Sequence, residues 1–317
     1  MIIKNEEAII LRCLNSLLPY IDTYVICDTG STDSTVQLVE TFFAKTNVQG
    51  TVYRDTWCDF ATNRNLCLKR AADSGTDFCF MVDADEVLEV SDKQWKHNLN
   101  KQSVYSIYTG SRSFVYAVPV ITPAKLEAQY IGVTHEYLNF PNNTAHHKID
   151  KIRLHHVGDG GSKKDKLERD KSLIEQAMRT EARPFLIQRY LFYLAQTCFD
   201  MHNYEKAIFY YRQRIKRGGW EEEVFYCYYK CGLALLAINN GQCTDKVVRW
   251  LFRAWQFRRT RLEPLYAIMK HCGDKKMAAA LAQAGAPVRM TTDVLFVEKN
   301  IYEYDYEKLL REITLCY

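Results

Sequence analysis

The sequence predicts an α/β domain in the first half of the chain and an all-helical domain in the second. Over about the first 90 residues, short apolar runs alternate with amphipathic stretches, the pattern of parallel strands joined by crossover helices. A β-rich stretch with Gly, Pro and Asn turns follows, and the rest is amphipathic at helical spacing. A chain of 317 residues is long enough for two such domains.

Four strands and three helices are predicted in the first part. The strands are Met1–Ile3, Tyr24–Cys27, Thr51–Tyr53 and Phe78–Val82, and the helices are Glu7–Leu18, Ser34–Lys45 and Ala61–Ala72. Ile10, Leu14 and Leu17 share one face of the first helix. Because binding sites in parallel sheets form at the carboxyl ends of the strands, polar residues there are the first candidates for function.

Four β-rich segments and five helices are predicted in the remainder. The segments are Tyr105–Tyr108, Ser113–Val118, Tyr130–Phe140 and Lys151–His156; the helices are Asp165–Thr180, Arg189–Met201, Tyr204–Lys216, Val224–Ala237 and Asp245–Arg258. Similar helix pairs recur after about 37 and 40 residues, compared with 34 in a tetratricopeptide unit. The pattern favours an array of helical hairpins, with an irregular helical bundle as the alternative.

The predicted domains are residues 1–160 and 161–317. The boundary falls in the polar, Gly-rich stretch 158–165.

Composition excludes several classes of protein. The formal net charge is only +4, so no broad nucleic-acid surface is implied. No apolar run is long enough for a membrane span, and Lys4 to Glu7 interrupt the N-terminal apolar residues too early for a signal peptide. The eleven cysteines are irregularly spaced, which favours reduced structural thiols and a cytoplasmic location.

The segment Phe78–Glu86 is the most informative one. An apolar strand runs directly into Asp83-Ala84-Asp85. Two carboxylates close together repel each other unless a cation lies between them, and hard oxygen ligands suit Mg²⁺ or Mn²⁺. A solvated acidic loop is the alternative.

Two more polar clusters follow predicted strands. Asp28 ends the second strand before the Gly30 turn, where it can accept hydrogen bonds from a ribose or a base, and Lys4–Glu7 follows the first strand. Ser31 and Asp33 can also serve as plain helix caps. Three such clusters at one edge of a sheet are less likely to arise by chance than a single cluster.

Several segments, in order, resemble family 2 glycosyltransferases. They are Met1–Glu7, Cys13–Leu17, Asp28–Thr35, Trp57–Ala61 with Arg64–Asn65, and Asp83–Glu86. Asp28–Thr35 is similar to the family's Asp-x-Gly-Ser-x-Asp-x-Thr motif, and Asp83–Glu86 is similar to its metal-binding Asp-x-Asp. Later segments resemble the subgroup with tetratricopeptide-like helices: Gly132–Glu136, His155–His156, Lys166–Asp170, Tyr190–Gln196 and Tyr204–Ala207.

The resemblance implies a GT-A fold, a Rossmann-like mixed sheet that binds the nucleotide-sugar, and it implies roles for individual residues. Asn5, Glu6 and Asp28 would line the nucleotide, with Asp28 on the uridine part. Arg64 would lie near the nucleotide or diphosphate. Asp83 would contact ribose or metal, and Asp85 the metal.

The sequence departs from the family pattern at the catalytic base. The Glu-Asp pair that often holds this base is not visible, and Glu136 is the best substitute, with Asp159 next. A structural role for Glu136, as partner of Arg112 or Arg153, is the alternative.

Two further assignments concern the end of the α/β part. His156 is the preferred second metal ligand, by the resemblance, and a packed strand-end histidine is the alternative. Lys163, Lys164, Lys166 and Arg169 form a basic run that either meets the diphosphate as a lid or is a solvated helix start.

The predicted function is inverting, metal-dependent transfer of a sugar from a nucleotide-sugar to a hydroxyl on a protein or glycan. The donor is a UDP-sugar such as UDP-glucose or UDP-GlcNAc, the cofactor is Mn²⁺ or Mg²⁺, and the helical domain can also mediate homo-oligomers. One alternative is a non-catalytic scaffold that binds a protein partner through its helices. The other is a nucleotidyltransferase, which the absence of a Gly-rich phosphate loop disfavours.

Overall fold

The computed structural model describes residues 1–110, 115–160, 165–285, 288 and 290–315. Two compact units are present, Met1–Arg169 and Asp170–Tyr317. The first is mixed α/β and the second is helical, as predicted from the sequence.

Strands and helices alternate at the start of the first unit. The described strands are β1 (Ile2–Ile3), β2 (Thr23–Asp28), β3 (Gln49–Arg54), β4 (Phe78–Phe80), β5 (Glu86–Val90), β6 (Ser103–Gly110), β7 (Val115–Pro123), β8 (Gln129–Ile131), β9 (Tyr137–Asn139) and β10 (Ala145–His156). The helices are α1 (Ile10–Leu17), α2 (Thr35–Phe43) and α3 (Phe60–Asp73). A further helix, α4 (Lys166–Ala177), begins in this unit and ends in the second.

The first three strands form a parallel sheet in the order β1-β2-β3. Ile3 pairs with Asp28, and Asp28 pairs with Arg54, so all three strands end at one edge. Ile10, Leu14 and Leu17 of α1 are buried, as their spacing predicts. The parallel pairing therefore brings Lys4–Glu7 and Asp28 to the same edge of the sheet.

A second, mixed sheet has the order β4-β7-β6-β10-β5. The prediction that the Phe78–Val82 strand belongs to the parallel sheet is wrong, because β4 pairs antiparallel with β7. Apolar alternation identifies a strand, but its neighbour is chosen by packing against residues that lie far away in the sequence. The predicted segment Tyr130–Phe140 is a hairpin of β8 and β9.

One apolar core joins the two sheets of the first unit. It contains Ile3, Ile10 and Ile26 from the parallel sheet side, and Ile107 and Leu154 from the mixed sheet. The core thereby fixes the carboxyl ends of β1 and β2 relative to the segment that follows β4.

The second unit consists of consecutive helices. They are α5 (Pro184–Asp200), α6 (Tyr204–Lys216), α7 (Glu221–Ile238), α8 (Asp245–Phe257), α9 (Glu263–His271), α10 (Lys275–Gly285) and α11 (Tyr306–Leu315). The five predicted helices are confirmed as α4 to α8, and three more α-helices follow among the described residues after α8. Their tetratricopeptide character stays a prediction.

Neighbouring helices of this unit pack closely. A Cβ on Gly232 of α7 would lie 2.4 Å from a Leu251 side-chain carbon of α8, so only glycine permits this approach. Arg214 of α6 is 1% exposed and donates to Glu223 of α7 at 2.8 and 3.0 Å, and also to the carbonyl of Gly218. This buried ion pair ties α6 to α7.

Replacing Arg214 with methionine is expected to destabilise the protein by about 3–5 kcal/mol, because Glu223 would remain buried without its partner. Urea unfolding followed by circular dichroism measures the change. Arg212→Met, at an exposed position of the same helix, is the control and should change stability by less than about 0.5 kcal/mol. Equal stability of the two variants would contradict the prediction.

No helix among the described residues is both long enough and apolar enough to cross a membrane.

Candidate active site

A cavity of about 280 Å³ lies at the carboxyl ends of β1 and β2, against the segment that follows β4. Its charged lining residues are Lys4, Glu6, Arg64, Asp83, Asp85, His156, Lys166 and Arg169. Six of the nine predicted site residues therefore line one cavity: Glu6, Arg64, Asp83, Asp85, His156 and Lys166. Asn5, Asp28 and Glu136 are not among its lining residues.

Asn5 joins the loops that follow β1 and β2. Its backbone is left-handed, with φ of +56°, and its N–H donates to the Ser31 hydroxyl at 2.9 Å. Its side-chain oxygen accepts the Thr32 N–H at 2.7 Å. The next residue, Glu6, is buried, and its N–H donates to Thr35 Oγ1 at 2.7 Å. Asn5 thus holds in place the loop that brings Glu6 to the cavity.

The carboxylate of Asp28 caps its own turn. It accepts the N–H groups of Gly30 and Ser31 at 3.1–3.2 Å, and the residue is 5% exposed. Gly30 has φ of +100°, a conformation that a residue with a Cβ rarely adopts. Asp28 therefore shapes the loop whose first residue, Thr29, lines the cavity.

Arg64 is paired with two carboxylates. Asp59 caps the N-terminus of helix α3 by accepting the Thr62 N–H at 2.8 Å. Arg64 lies about one turn further along this helix. The guanidinium binds both oxygens of Asp83 at 2.8 and 2.9 Å, and its Nε donates to Glu136 Oε1 at 2.6 Å. Burial disfavours the charge of Arg64, but Asp83 and Glu136 raise its pKa well above the usual value.

The pKa values of two neighbouring carboxyl groups, Asp83 and Glu86, are shifted in opposite directions. Burial raises the pKa of Asp83, but Arg64 outweighs burial and holds that pKa below its usual value. Burial and the nearby Asp83 carboxylate raise the pKa of Glu86 to about 7. Glu86 accepts the Asp83 N–H at 3.0 Å and the Thr109 hydroxyl at 3.0 Å, so it supports the Asp-x-Asp segment.

Of the two arginines predicted as partners of Glu136, Arg153 belongs to the described residues, and this prediction is wrong. Arg64, and not Arg153, pairs with Glu136, and Arg112 lies outside the described residues. Arg64 and Glu136 are 72 positions apart, and their side chains are each 11% exposed. A pair so distant in sequence leaves no local pattern to predict it. Asp159, the second candidate base, pairs with Arg12 at 2.7 and 2.8 Å.

Asp85 and His156 lie next to each other. In the β5–β10 ladder His156 is opposite Glu86, and the Val157 N–H donates to the Asp85 carbonyl at 3.0 Å. His156 Nδ1 is 3.6 Å from Asp85 Oδ1. Gly160 lies against the carboxylates of Asp85 and Glu6. A Cβ added to Gly160 would lie 3.4 Å from Asp85 Oδ2 and 3.5 Å from Glu6 Oε2.

The described residues contain no group of three or more His, Cys, Asp or Glu side chains that could hold a metal ion. Mg²⁺ sites commonly use one or two protein carboxylates together with substrate phosphates. A carboxylate beside an imidazole fits that kind of site.

The cationic and aromatic wall of the cavity was only partly predicted. Lys166 and Arg169 of the basic run line it, whereas Lys163 and Lys164 lie outside the described residues. Arg169 stacks on the Phe60 ring at 5.1 Å, and Phe60 meets Trp57 edge-to-face at 4.9 Å. No role was predicted for Trp57 and Phe60, although both lie in the family-like segment Trp57–Ala61 just before Arg64.

A family model matches the start of the chain. Residues 1–109 match the model for glycosyl transferase family 2. No curated protein matches the chain.

Among solved structures, S. aureus TarS aligns at 17% identity with a TM-score of 0.43, covering 76% of this chain and 53% of TarS. The chain thus spans about half of that protein. TarS 1–349 in complex with UDP-GlcNAc aligns at 15% identity with a TM-score of 0.39, covering 93% of both chains. By the family match, residues 1–109 form a glycosyl transferase family 2 domain.

Proposed function

We propose that this enzyme transfers a sugar from a UDP-sugar, such as UDP-glucose or UDP-GlcNAc, to a hydroxyl acceptor with inversion and with a divalent cation. One observation supports the proposal above others. The cavity at the strand ends holds the Asp85–His156 pair and the cations Lys166 and Arg169 together. A nucleoside diphosphate complexed with a metal ion has the matching charges. In this proposal the first unit has the GT-A organisation.

Asp85 and His156 would hold Mn²⁺ or Mg²⁺. When bound, such an ion supplies positive charge to the diphosphate that leaves during transfer. Asp85 is 15% and His156 46% exposed in the side chain, so His156 in particular is open to a ligand that enters from solvent.

The basic residues of the wall would bind the diphosphate. Lys166 supplies an ammonium and Arg169 a guanidinium, and the latter is oriented by its stacking on Phe60. Lys4 lines the same cavity from the β1 side. Positive groups fixed before the reaction stabilise charge as it develops on the leaving group.

The nucleoside would lie along the loops after β1 and β2. In this arrangement Asn5 and Asp28 act mainly by shaping those loops, and Glu6 reaches the cavity itself. Asp83 would meet the ribose, and Arg64 would hold Asp83 in place.

Replacing Asp28 with alanine is expected to weaken UDP binding by about 1–3 kcal/mol, because the loop beside the cavity loses the carboxylate that accepts the Gly30 and Ser31 N–H groups. Calorimetric titration with UDP measures the change. Asp22→Ala, a 94% exposed carboxylate near the opposite end of β2, is the control. Unchanged UDP affinity in Asp28→Ala would leave Asp28 with a purely structural role.

Glu136 is the proposed base that removes the acceptor proton. Its carboxylate is held by Arg64 and is not in the cavity lining, so it has to turn from Arg64 toward the acceptor to act. His135, immediately before it, is left-handed with φ of +50°, and Gly132 has φ of +110°. The hairpin turn that carries Glu136 is thus an irregular segment and not part of a strand.

A protein or glycan acceptor and a reducing, cytoplasm-like compartment belong to the same proposal. Ten cysteines of the described residues are free thiols, and most of them are buried. Free thiols persist where disulfides do not form.

A donor panel tests the proposed reaction. The protein would be incubated with UDP-, GDP- and CMP-sugars and Mn²⁺, and the released nucleotide measured. We expect release from a UDP-sugar and its loss with EDTA. Release from a GDP- or CMP-sugar alone would contradict the assignment of UDP, and no release from any donor would support the scaffold alternative.

A further inference from the structure

The segment Asp293–Glu298 crosses the helices of the second unit without forming a helix or strand. Two side chains bind the main chain of its central residues, Val294 to Phe296. Glu222 Oε2 of α7 accepts the N–H groups of Val294 and Leu295 at 2.9 and 2.7 Å. Arg261 donates to the carbonyls of Leu295 and Phe296 at 3.1 and 3.2 Å. Contacts of this kind bind main-chain groups whatever side chains the segment carries.

Phe296 is the apolar anchor of the segment. Its ring lies 6.4 Å from Phe192 of α5, nearly parallel at 8°, and 5.0 Å from Tyr226 of α7. Aromatic pairs at such distances are attractive beyond the area that they bury. The side chains that receive Phe296 come from two helices that are not consecutive.

Acidic side chains fix the two ends of the segment. Asp293 pairs with Arg258 and lies 3.4 Å from Arg261. Glu298 accepts the Tyr229 hydroxyl at 2.9 Å. We call the receiving surface the segment groove; it consists of Phe192, Glu222, Tyr226, Tyr229, Arg258 and Arg261.

The two arginines of the groove stay paired when the segment leaves. Arg258 also pairs with Glu221 at 3.2 Å, and Arg261 also pairs with Glu263 at 2.8 Å. Within the segment, the Asp293 side chain is only 2% exposed, whereas two other residues favour release of the segment. Val294 is 72% exposed, and Phe296 has φ of +46°, a left-handed conformation that is unusual for a bulky residue.

We propose that the segment groove is a peptide-binding site and that Asp293–Glu298 is its built-in occupant. The external ligand is a peptide of a protein partner that bends at a phenylalanine, with a carboxylate three residues before it and another two residues after it. Such a peptide makes the contacts of the segment when the segment moves out. The proposal is independent of the sugar-transfer reaction.

A labelled peptide of residues 291–300 tests the proposal by fluorescence polarisation against the full chain. In the wild type the segment competes with the peptide, so the apparent affinity falls by the fraction of molecules with an open groove. Phe296→Ala loosens the segment and leaves the groove intact. We expect it to bind the peptide at least about tenfold more tightly than the wild type does.

Two controls accompany this titration. Phe209→Ala removes a phenylalanine that is 57% exposed on α6, outside the groove, and should bind the peptide as the wild type does. A peptide with its phenylalanine replaced by alanine should not bind. Equal affinity of the wild type and Phe296→Ala for the peptide, or no binding by either, overturns the proposal.

Two further measurements keep the test decisive if Phe296→Ala does not fold. Asp293→Asn loosens the segment by another route, and the same gain in peptide affinity is expected. In the wild type, the amides of Val294 and Leu295 should exchange hydrogen faster than those of α7, through local opening. Exchange of these amides only by global unfolding would show that the segment is a fixed part of the core and would overturn the proposal.

Discussion

Replacing Asp85 with alanine is expected to lower the rate of sugar transfer by more than about 100-fold, because the leaving diphosphate loses the charge stabilisation of a bound cation. Asp85 lies beside His156 and faces the cavity with only 15% of its side chain exposed. Initial rates of nucleotide release at saturating donor and Mn²⁺ measure the effect. EDTA should lower the rate of the wild type to a similar extent, and added Mn²⁺ should restore it.

The control for Asp85 is Asp73→Ala. Asp73 is a carboxylate at the end of α3 whose side chain is 63% exposed, and its loss should leave the rate within about twofold. A thermal melt of each variant separates a catalytic loss from misfolding. A fully active Asp85→Ala protein, or a wild type that is fully active without metal, would contradict the assignment.

Replacing Glu136 with glutamine is expected to lower kcat by about 100-fold or more while UDP affinity stays within about twofold, since a base acts on the acceptor and not on the nucleotide. The substitution keeps the shape of the side chain and weakens its ion pair with Arg64. Steady-state transfer at saturating donor and acceptor gives kcat, and calorimetry gives UDP affinity.

Glu127→Gln is the control for Glu136, because Glu127 is an exposed carboxylate in the same part of the chain. A different result for Glu136→Gln would change its role. If UDP affinity and thermal stability fall together, Glu136 serves to hold Arg64 against Asp83. If transfer stays near normal, the base lies elsewhere, and Asp159 is the next residue to replace.

The arrangement of the sheet edge could be read from the sequence because the signals are local. Apolar runs that end in Lys4–Glu7, Asp28 and Asp83 predict strands with polar carboxyl ends, and the parallel pairing of β1 and β2 brings the first two together. The cavity contains Asp85 and His156 as predicted. Their roles as metal ligands remain predictions.

Other features depend on contacts between residues far apart in the sequence, which no local sequence pattern predicts. The pairing of β4 with β7 joins segments about 40 residues apart, and Arg64 meets Glu136 across 72 positions. Helices α9 to α11 are short, between 9 and 11 residues, so hydrophobic periodicity over so few turns is a weak signal.

If Asp85 and His156 hold a cation against a nucleoside diphosphate in the cavity at the strand ends, UDP affinity depends on the metal. Calorimetric titration of the wild type should give UDP binding at least about tenfold tighter with Mn²⁺ than with EDTA, and this gain should disappear in Asp85→Ala. Equal UDP affinity with and without Mn²⁺, or a full gain in Asp85→Ala, would contradict the claim.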